Sequence, residues 1–202
     1  MNQYKIKEIF LSIQGEGWLI GQPSVFVRFA NCNVNCSFCD TDYAGGDMMT
    51  GQDIKKAIQK LETRYQMPVI LTGGEPLLQF DEALYDDLQR YELHIETSGT
   101  LPMPIMPVEK IVHITMSPKV TRDKIKLKKC HTLKILWPEA FEGITPEAFI
   151  DYPTISKCIQ PLDFQVDKAI KKLYEMDRLD PMGHWFLSPQ LHRQQNFKDI
   201  LR

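Results

Sequence analysis

Three cysteines crowd into eight residues, Cys32, Cys36 and Cys39, while the other two of the chain's five, Cys130 and Cys158, stand alone. That distribution is wrong for a disulfide framework and asks for a metal. A structural zinc site closes with four ligands, so three thiolates fit an iron–sulfur cluster with one open iron, or a zinc site completed by a distant Cys or His. Inert buried cysteines are the plain alternative. The trio follows an apolar run, 24–30, at the strand end where α/β folds place ligands. A second run, 68–72, leads into Gly73-Gly74-Glu75-Pro76. Glycines let backbone approach a ligand closely, although the same turn also serves as strand-to-helix punctuation. Alternation in 24–30 puts Arg28 on the face of Phe26 and Ala30, opposite Val25, Val27 and Phe29. Read alone, Arg28 is a snorkelling surface arginine.

The elements that must hold these residues follow from periodicity. Segments 52–66 and 165–178 carry apolar stripes at helical spacing, Ile54, Ala57, Ile58, Leu61 and Tyr65 in the first and Val166, Ala169, Ile170, Leu173 and Met176 in the second. Runs at 24–30, 68–72, 92–97, 111–116, 132–137, 154–159 and 184–187 read as strands. Several are too uniformly apolar for a sheet with one wet face, which implies parallel strands covered on both sides. About three helices for six or seven strands, within 202 residues, predict an α/β fold: a partial, open βα barrel, mainly parallel, with incomplete helical coverage. One domain spanning 1–202 is expected. A formal net charge of −2 gives no field for a polyanion, so nucleic acid is not an expected partner. No apolar run is long enough to cross a membrane and the first ten residues lack a signal-peptide core, so the expected setting is cytoplasmic. The histidines at 94, 113, 131, 184 and 192 show no Asp or Glu pattern of a metal or acid–base pair, and His94 and His113 read as hydrogen-bonded core residues. Lys124, Lys126, Lys128 and Lys129 read as a solvated face.

The pattern C-x3-C-x-aromatic-C, with Phe38 before the last cysteine, resembles the cluster loop of radical S-adenosylmethionine enzymes, and Gly73-Gly74-Glu75 resembles that family's GGE motif. FLSIQGEG at 10–17, the segment 21–41, ETSGT at 96–100, SPK at 117–119, CIQP at 158–161 and SPQLH at 188–192 together resemble 7-carboxy-7-deazaguanine synthases, in order along nearly the whole chain. The resemblance implies a small partial barrel, a homodimer, and Mg2+-dependent ring contraction of 6-carboxy-5,6,7,8-tetrahydropterin with loss of ammonia. It assigns a 4Fe–4S cluster to Cys32, Cys36 and Cys39, magnesium to Thr41, and substrate to Ile13, Gln14, Gly15, Arg28 and Thr97. S-adenosylmethionine falls to Phe38, Gly73, Gly74, Glu75, Gly99, Ser117, Pro118, Lys119, Gln160 and Pro161. A flavodoxin-like reductase is the implied electron donor, with the lysine run as its possible dock. Some members end on a proline that contacts the pterin, whereas this sequence ends Leu201-Arg202. Competing readings are a glycyl-radical activase, which shares the cluster motif, and a non-enzymatic zinc module.

Overall fold

The structure, a computed structural model, describes residues 2–37, 39, 41–62, 66–106, 112–163 and 165–191. In β2 (Pro23–Phe29), Val25, Val27 and Phe29 are fully buried on one face and Phe26 and Arg28 lie half-buried on the other. By contrast β4 (Val69–Gly73), β5 (Leu93–Thr97), β6 (His113–Met116), β7 (Thr132–Trp137) and β8 (Ser156–Pro161) are buried on both faces over most of their length. With β9 (Trp185–Leu187) these seven strands are parallel neighbours in chain order. Two antiparallel strands, β1 (Gln3–Ile13) and β3 (Asp47–Thr50), complete a nine-stranded sheet in the order β3-β1-β2-β4-β5-β6-β7-β8-β9. Its ends do not pair, so the barrel is open, as expected.

Among the described residues, three α-helices cover the outer face. Thr50 and Asp53 form a reciprocal capping box at the start of α1 (Gly51–Leu61), and Asp81 accepts from the Leu84 amide to start α2 (Glu82–Leu88). Helix α1 packs on β1, β2, β3 and α2, and α3 (Val166–Leu179) packs on β8 and β9. Between them, β6 and β7 are sealed by Leu127, Ile144, Phe149 and Tyr152 from connecting loops and short 3-10 turns. Loop side chains there replace the missing helices.

Some expectations need correction. The first helix ends at Leu61 rather than 66, and residues 63–65 lie outside the described residues. Strands β1 and β3 were not anticipated: a register shift between Ile6 and Glu8 breaks the alternation of β1, and β3 has only four residues. The strand expected at 154–159 runs Ser156–Pro161. The histidines are not isolated, since Glu92 Oε1 lies 2.8 Å from His94 Nε2. The ring of His113 also lies 4.7 Å from that of His94, tilted, and stacks on that of His131 at 4.8 Å, across β5, β6 and the entry to β7. His113 lies 3.3 Å from the Thr132 hydroxyl, which lies 3.1 Å from that of Ser156, so these side chains form a polar floor inside the barrel.

Candidate active site

A cavity of about 440 Å³ opens at the carboxyl ends of the parallel strands. That is where open α/β sheets bind ligands, and the size suits a small molecule. The inward layer contributes Arg28 from β2, Thr72 from β4, Glu96 from β5, Lys134 from β7 and Gln160 from β8. Register places Arg28 beside Thr72 and Glu96 beside Thr115. Their neighbours in sequence, such as Val27, Leu71, Ile95 and Ile135, are fully buried on the outer face. The alternation that builds the core thereby aims these polar side chains inward.

Cys32, Cys36 and Cys39 all line this cavity, on the loop after β2. The loop begins at Asn31, whose φ of 71° is left-handed and whose carbonyl accepts from the Glu75 amide at 2.9 Å. That contact accounts for both motif glycines. A Cβ on Gly74 would stand 1.8 Å from the Asn31 carbonyl oxygen, and one on Gly73, at φ 118°, would stand 2.3 Å from that of Phe29. Burial pushes the thiols of Cys32 and Cys36 upward, with Lys119 opposing at Cys36. Ionising them falls to a bound metal. Among the described residues, no three His, Cys, Asp or Glu side chains converge to hold a single ion. A four-iron cluster spreads its thiolates over separate irons, so the donor set fits it better than one tetrahedral zinc. Cys130 and Cys158 are buried and do not line the cavity.

Among the other expected residues, Ile13, Gln14, Gly15, Thr41, Thr97, Ser117, Lys119 and Gln160 line the cavity. Gln160 is 3% exposed, and its Oε1 is buried with no hydrogen-bond partner among the described residues, which fits a ligand donor. Lys119 donates to the Ser117 hydroxyl at 2.6 Å, and burial, with Lys134 nearby, lowers its pKa to about 8. Arg28 approaches Glu8 at 3.0 Å through Nε without hydrogen-bond geometry and lies over the Phe10 ring. It is thus a cavity residue rather than a snorkelling one. Asp42 is paired to Lys7 at 2.7 Å and accepts from the Ala44 amide, and Lys7 holds its carboxyl below the usual range.

Glu75, Gly99, Pro118 and Pro161 are not among the lining residues, and Phe38 lies outside the described residues. Glu75 is 1% exposed and faces the protein. It accepts from the Leu77 amide at 3.1 Å, the Thr97 hydroxyl at 2.7 Å, and the Ser98 amide and hydroxyl at 2.9 and 2.5 Å. Ser98 continues to Thr100 and on to Asn33 in the cysteine loop, so Glu75 joins three loops. Sequence reasoning missed Glu16, Glu96, Lys134 and Gln190, which also line the cavity. For Lys134 the signal was a charged residue inside an apolar strand, TLKILW, and Glu96 lies at the end of another, ELHIET; Glu16 and Gln190 lie in loops and carried none.

The Radical SAM superfamily model matches residues 26–145. A 7-carboxy-7-deazaguanine synthase from Bradyrhizobium diazoefficiens is 36% identical over 94% of this chain and 97% of its own length. The chain belongs to the 7-carboxy-7-deazaguanine synthase family. A Bacteroides thetaiotaomicron member is 48% identical over 57% of this chain and 60% of its own length. The fold is shared with the crystal structure of QueE from Escherichia coli, with a TM-score of 0.74 and 24% identity over 93% of this chain and 94% of that one. Family membership accounts for the cysteine loop after β2 meeting the two glycines at the end of the neighbouring β4. The segment after β9 also reaches this site, because Leu191 donates its amide to the Gly15 carbonyl and Gln190 donates to Glu16, clasping the IQGEG segment. Residues 192–202, where the sequence departs from the proline ending, lie outside the described residues.

Proposed function

We propose that this chain converts 6-carboxy-5,6,7,8-tetrahydropterin to 7-carboxy-7-deazaguanine with loss of ammonia, a step of queuosine and 7-deazapurine synthesis. The observation that carries the reading is one cavity lined by both the cysteine trio and an inward arginine, in a chain with full-length synthase relatives. Arg28 takes the substrate carboxylate, for which a planar guanidinium suits bidentate pairing. The Ile13-Gln14-Gly15 segment and Thr97 flank the pterin. When bound, a reduced 4Fe–4S cluster on Cys32, Cys36 and Cys39, with S-adenosylmethionine, supplies a 5′-deoxyadenosyl radical to this site. Gly73, Gly74, Ser117, Lys119 and Gln160 hold S-adenosylmethionine, which places the reacting groups together on the barrel interior. Thr41 supplies one magnesium oxygen, since Asp42 is committed to Lys7 and Mg2+ keeps substrate and water oxygens in its shell.

Residues 1–202 act as one domain, working as a cytoplasmic homodimer. A flavodoxin-like donor docks at the exposed Lys124, Lys126, Lys128 and Lys129, on a loop whose Lys126 and Leu127 amides donate to the Gly99 carbonyl. The test is anaerobic reconstitution, reduction and incubation with the carboxypterin, S-adenosylmethionine and Mg2+, followed by mass spectrometry. Carboxy-deazaguanine is expected. A reconstituted, reduced protein that cleaves S-adenosylmethionine but leaves the pterin intact would overturn the reading.

A further inference from the structure

The cavity contains an ion cluster that the roles above leave unused. Lys134 is 5% exposed and donates to Glu16 at 2.5 Å and to Glu96 at 2.9 Å. Burial works against its ammonium, but the two carboxylates outweigh that and hold it protonated. One cation between two anions gives this trio a net charge of −1, with Lys119 on the same cavity close enough to interact with all three. Glu16 has a second fixed partner, Gln190, at 2.7 Å. Glu96 differs: it gives Oε2 to Lys134, and its Oε1 accepts no hydrogen bond among the described residues. In the same cavity Gln160 Oε1 is buried and unpartnered. Gln160 Oε1 is thus a buried acceptor whose cost is recovered when a ligand donates to it, and Glu96 Oε1 is a second acceptor on the same cavity that a ligand can reach.

The opposite end of the layer carries Arg28. Arg28 pairs with Thr72, and Leu71 with Ile95, so Glu96 sits level with Arg28 two strands away. At ~4.8 Å per strand the two charges stand roughly 10 Å apart along the sheet. That span matches one bicyclic ring with an anion at one end and a donor edge at the other. We propose that Glu96, steadied by Lys134, reads the 2-amino and N3–H donors of the substrate's 2-amino-4-oxopyrimidine, while Arg28 takes its carboxylate. The proposal rests on the carboxypterin reading above and names the residue that selects the ring. A carboxylate presents two acceptors in the geometry of two parallel N–H groups, as in its pairing with arginine. A ring bearing an oxo group at position 2 would instead set oxygen against oxygen, which a site built for a donor rejects strongly.

The test uses pterin-6-carboxylate and lumazine-6-carboxylate, which differ in the amino or oxo group at position 2. Each is titrated anaerobically, by calorimetry, against the reconstituted full chain with S-adenosylmethionine present. The wild type is expected to bind the pterin at least tenfold more tightly. Glu96→Gln, whose amide can donate to the oxo group, should reduce that preference below threefold, mainly by weakening the pterin. Cluster iron and affinity for S-adenosylmethionine should not change. If the glutamine variant loses iron, Glu96→Asp withdraws the carboxylate by one methylene and should weaken the pterin at least fivefold and lumazine less than twofold. A wild type without the preference, a Glu96→Gln variant that keeps it, or an Asp variant with unchanged pterin binding overturns the assignment. So does an equal loss of both ligands. Wild-type conversion of carboxytetrahydropterin in the same preparation separates these results from a failure of the functional reading.

Discussion

Replacing Glu75 by glutamine preserves the side chain's shape and removes its charge at a point where four protein donors meet. Leu77 and Thr97 converge on one oxygen and the Ser98 amide and hydroxyl on the other. The amide oxygen of glutamine can keep the first pair as neutral bonds. Its NH2 must then face the Ser98 N–H, donor against donor, although the Ser98 hydroxyl can turn to accept. Orphaning that backbone amide costs about 1–3 kcal/mol, and turning charge-assisted bonds into neutral ones adds about 1–2 kcal/mol. A loss near 3–4 kcal/mol is therefore expected for Glu75→Gln, read as the change in urea-unfolding free energy. Because Thr97 lies on the substrate side and Ser98 leads to Asn33 in the cysteine loop, the pterin KM should rise with it. Binding of S-adenosylmethionine, by calorimetry, should change less than threefold. A stability loss below 1 kcal/mol, or a selective loss of S-adenosylmethionine binding, would show that Glu75 faces the cofactor rather than bracing the loops.

Arg28→Ala should lower carboxypterin kcat/KM about 10- to 100-fold, the equivalent of one charge-assisted pair, while sparing uncoupled S-adenosylmethionine cleavage; Arg28→Lys should recover only part. Equal damage to uncoupled cleavage would mark a structural arginine. In magnesium titrations of turnover, Thr41→Val should raise the Mg2+ requirement at least fivefold and Asp42→Asn less than twofold, and the reverse order would move the metal to Asp42. Cys36→Ala should abolish cluster iron while Cys130→Ala and Cys158→Ala retain it, measured as iron per chain and visible absorbance. Acid should loosen the fold through His113, whose pKa is lowered from 6.5 to about 4 by burial, then by His94 and His131. The unfolded chain takes up that proton first, so stability is intact above pH 6.5 and falls as pH drops toward 4. With solvent screening the loss is about 1 kcal/mol between pH 7 and 5, and His113→Phe should flatten the urea midpoint over that window.

What the sequence disclosed about the site was chemistry carried by neighbours in the chain, and what it withheld was chemistry assembled across strands. Cys32, Cys36 and Cys39, like Gly73 and Gly74, are legible because a loop of fixed spacing must do one local job. Their partners are not local: the reason for Gly74 is the carbonyl of Asn31, 43 positions earlier and one strand over. The same holds for the fold. The strands β4, β5, β7 and β8 announce themselves by burial on both faces, whereas β1 hides behind a register shift, and the seal over β6 and β7 comes from loops without periodicity. Lys134 shows the limit most clearly. A lysine in an apolar strand looks like an exposed edge residue until register sets it between Glu16 and Glu96, 118 and 38 positions away. Burying an ammonium without those carboxylates would cost several kcal/mol, so its presence in the β7 run already required counter-charges somewhere in the fold. Periodicity predicts which face such a residue occupies, and the order of the strands decides what it meets there.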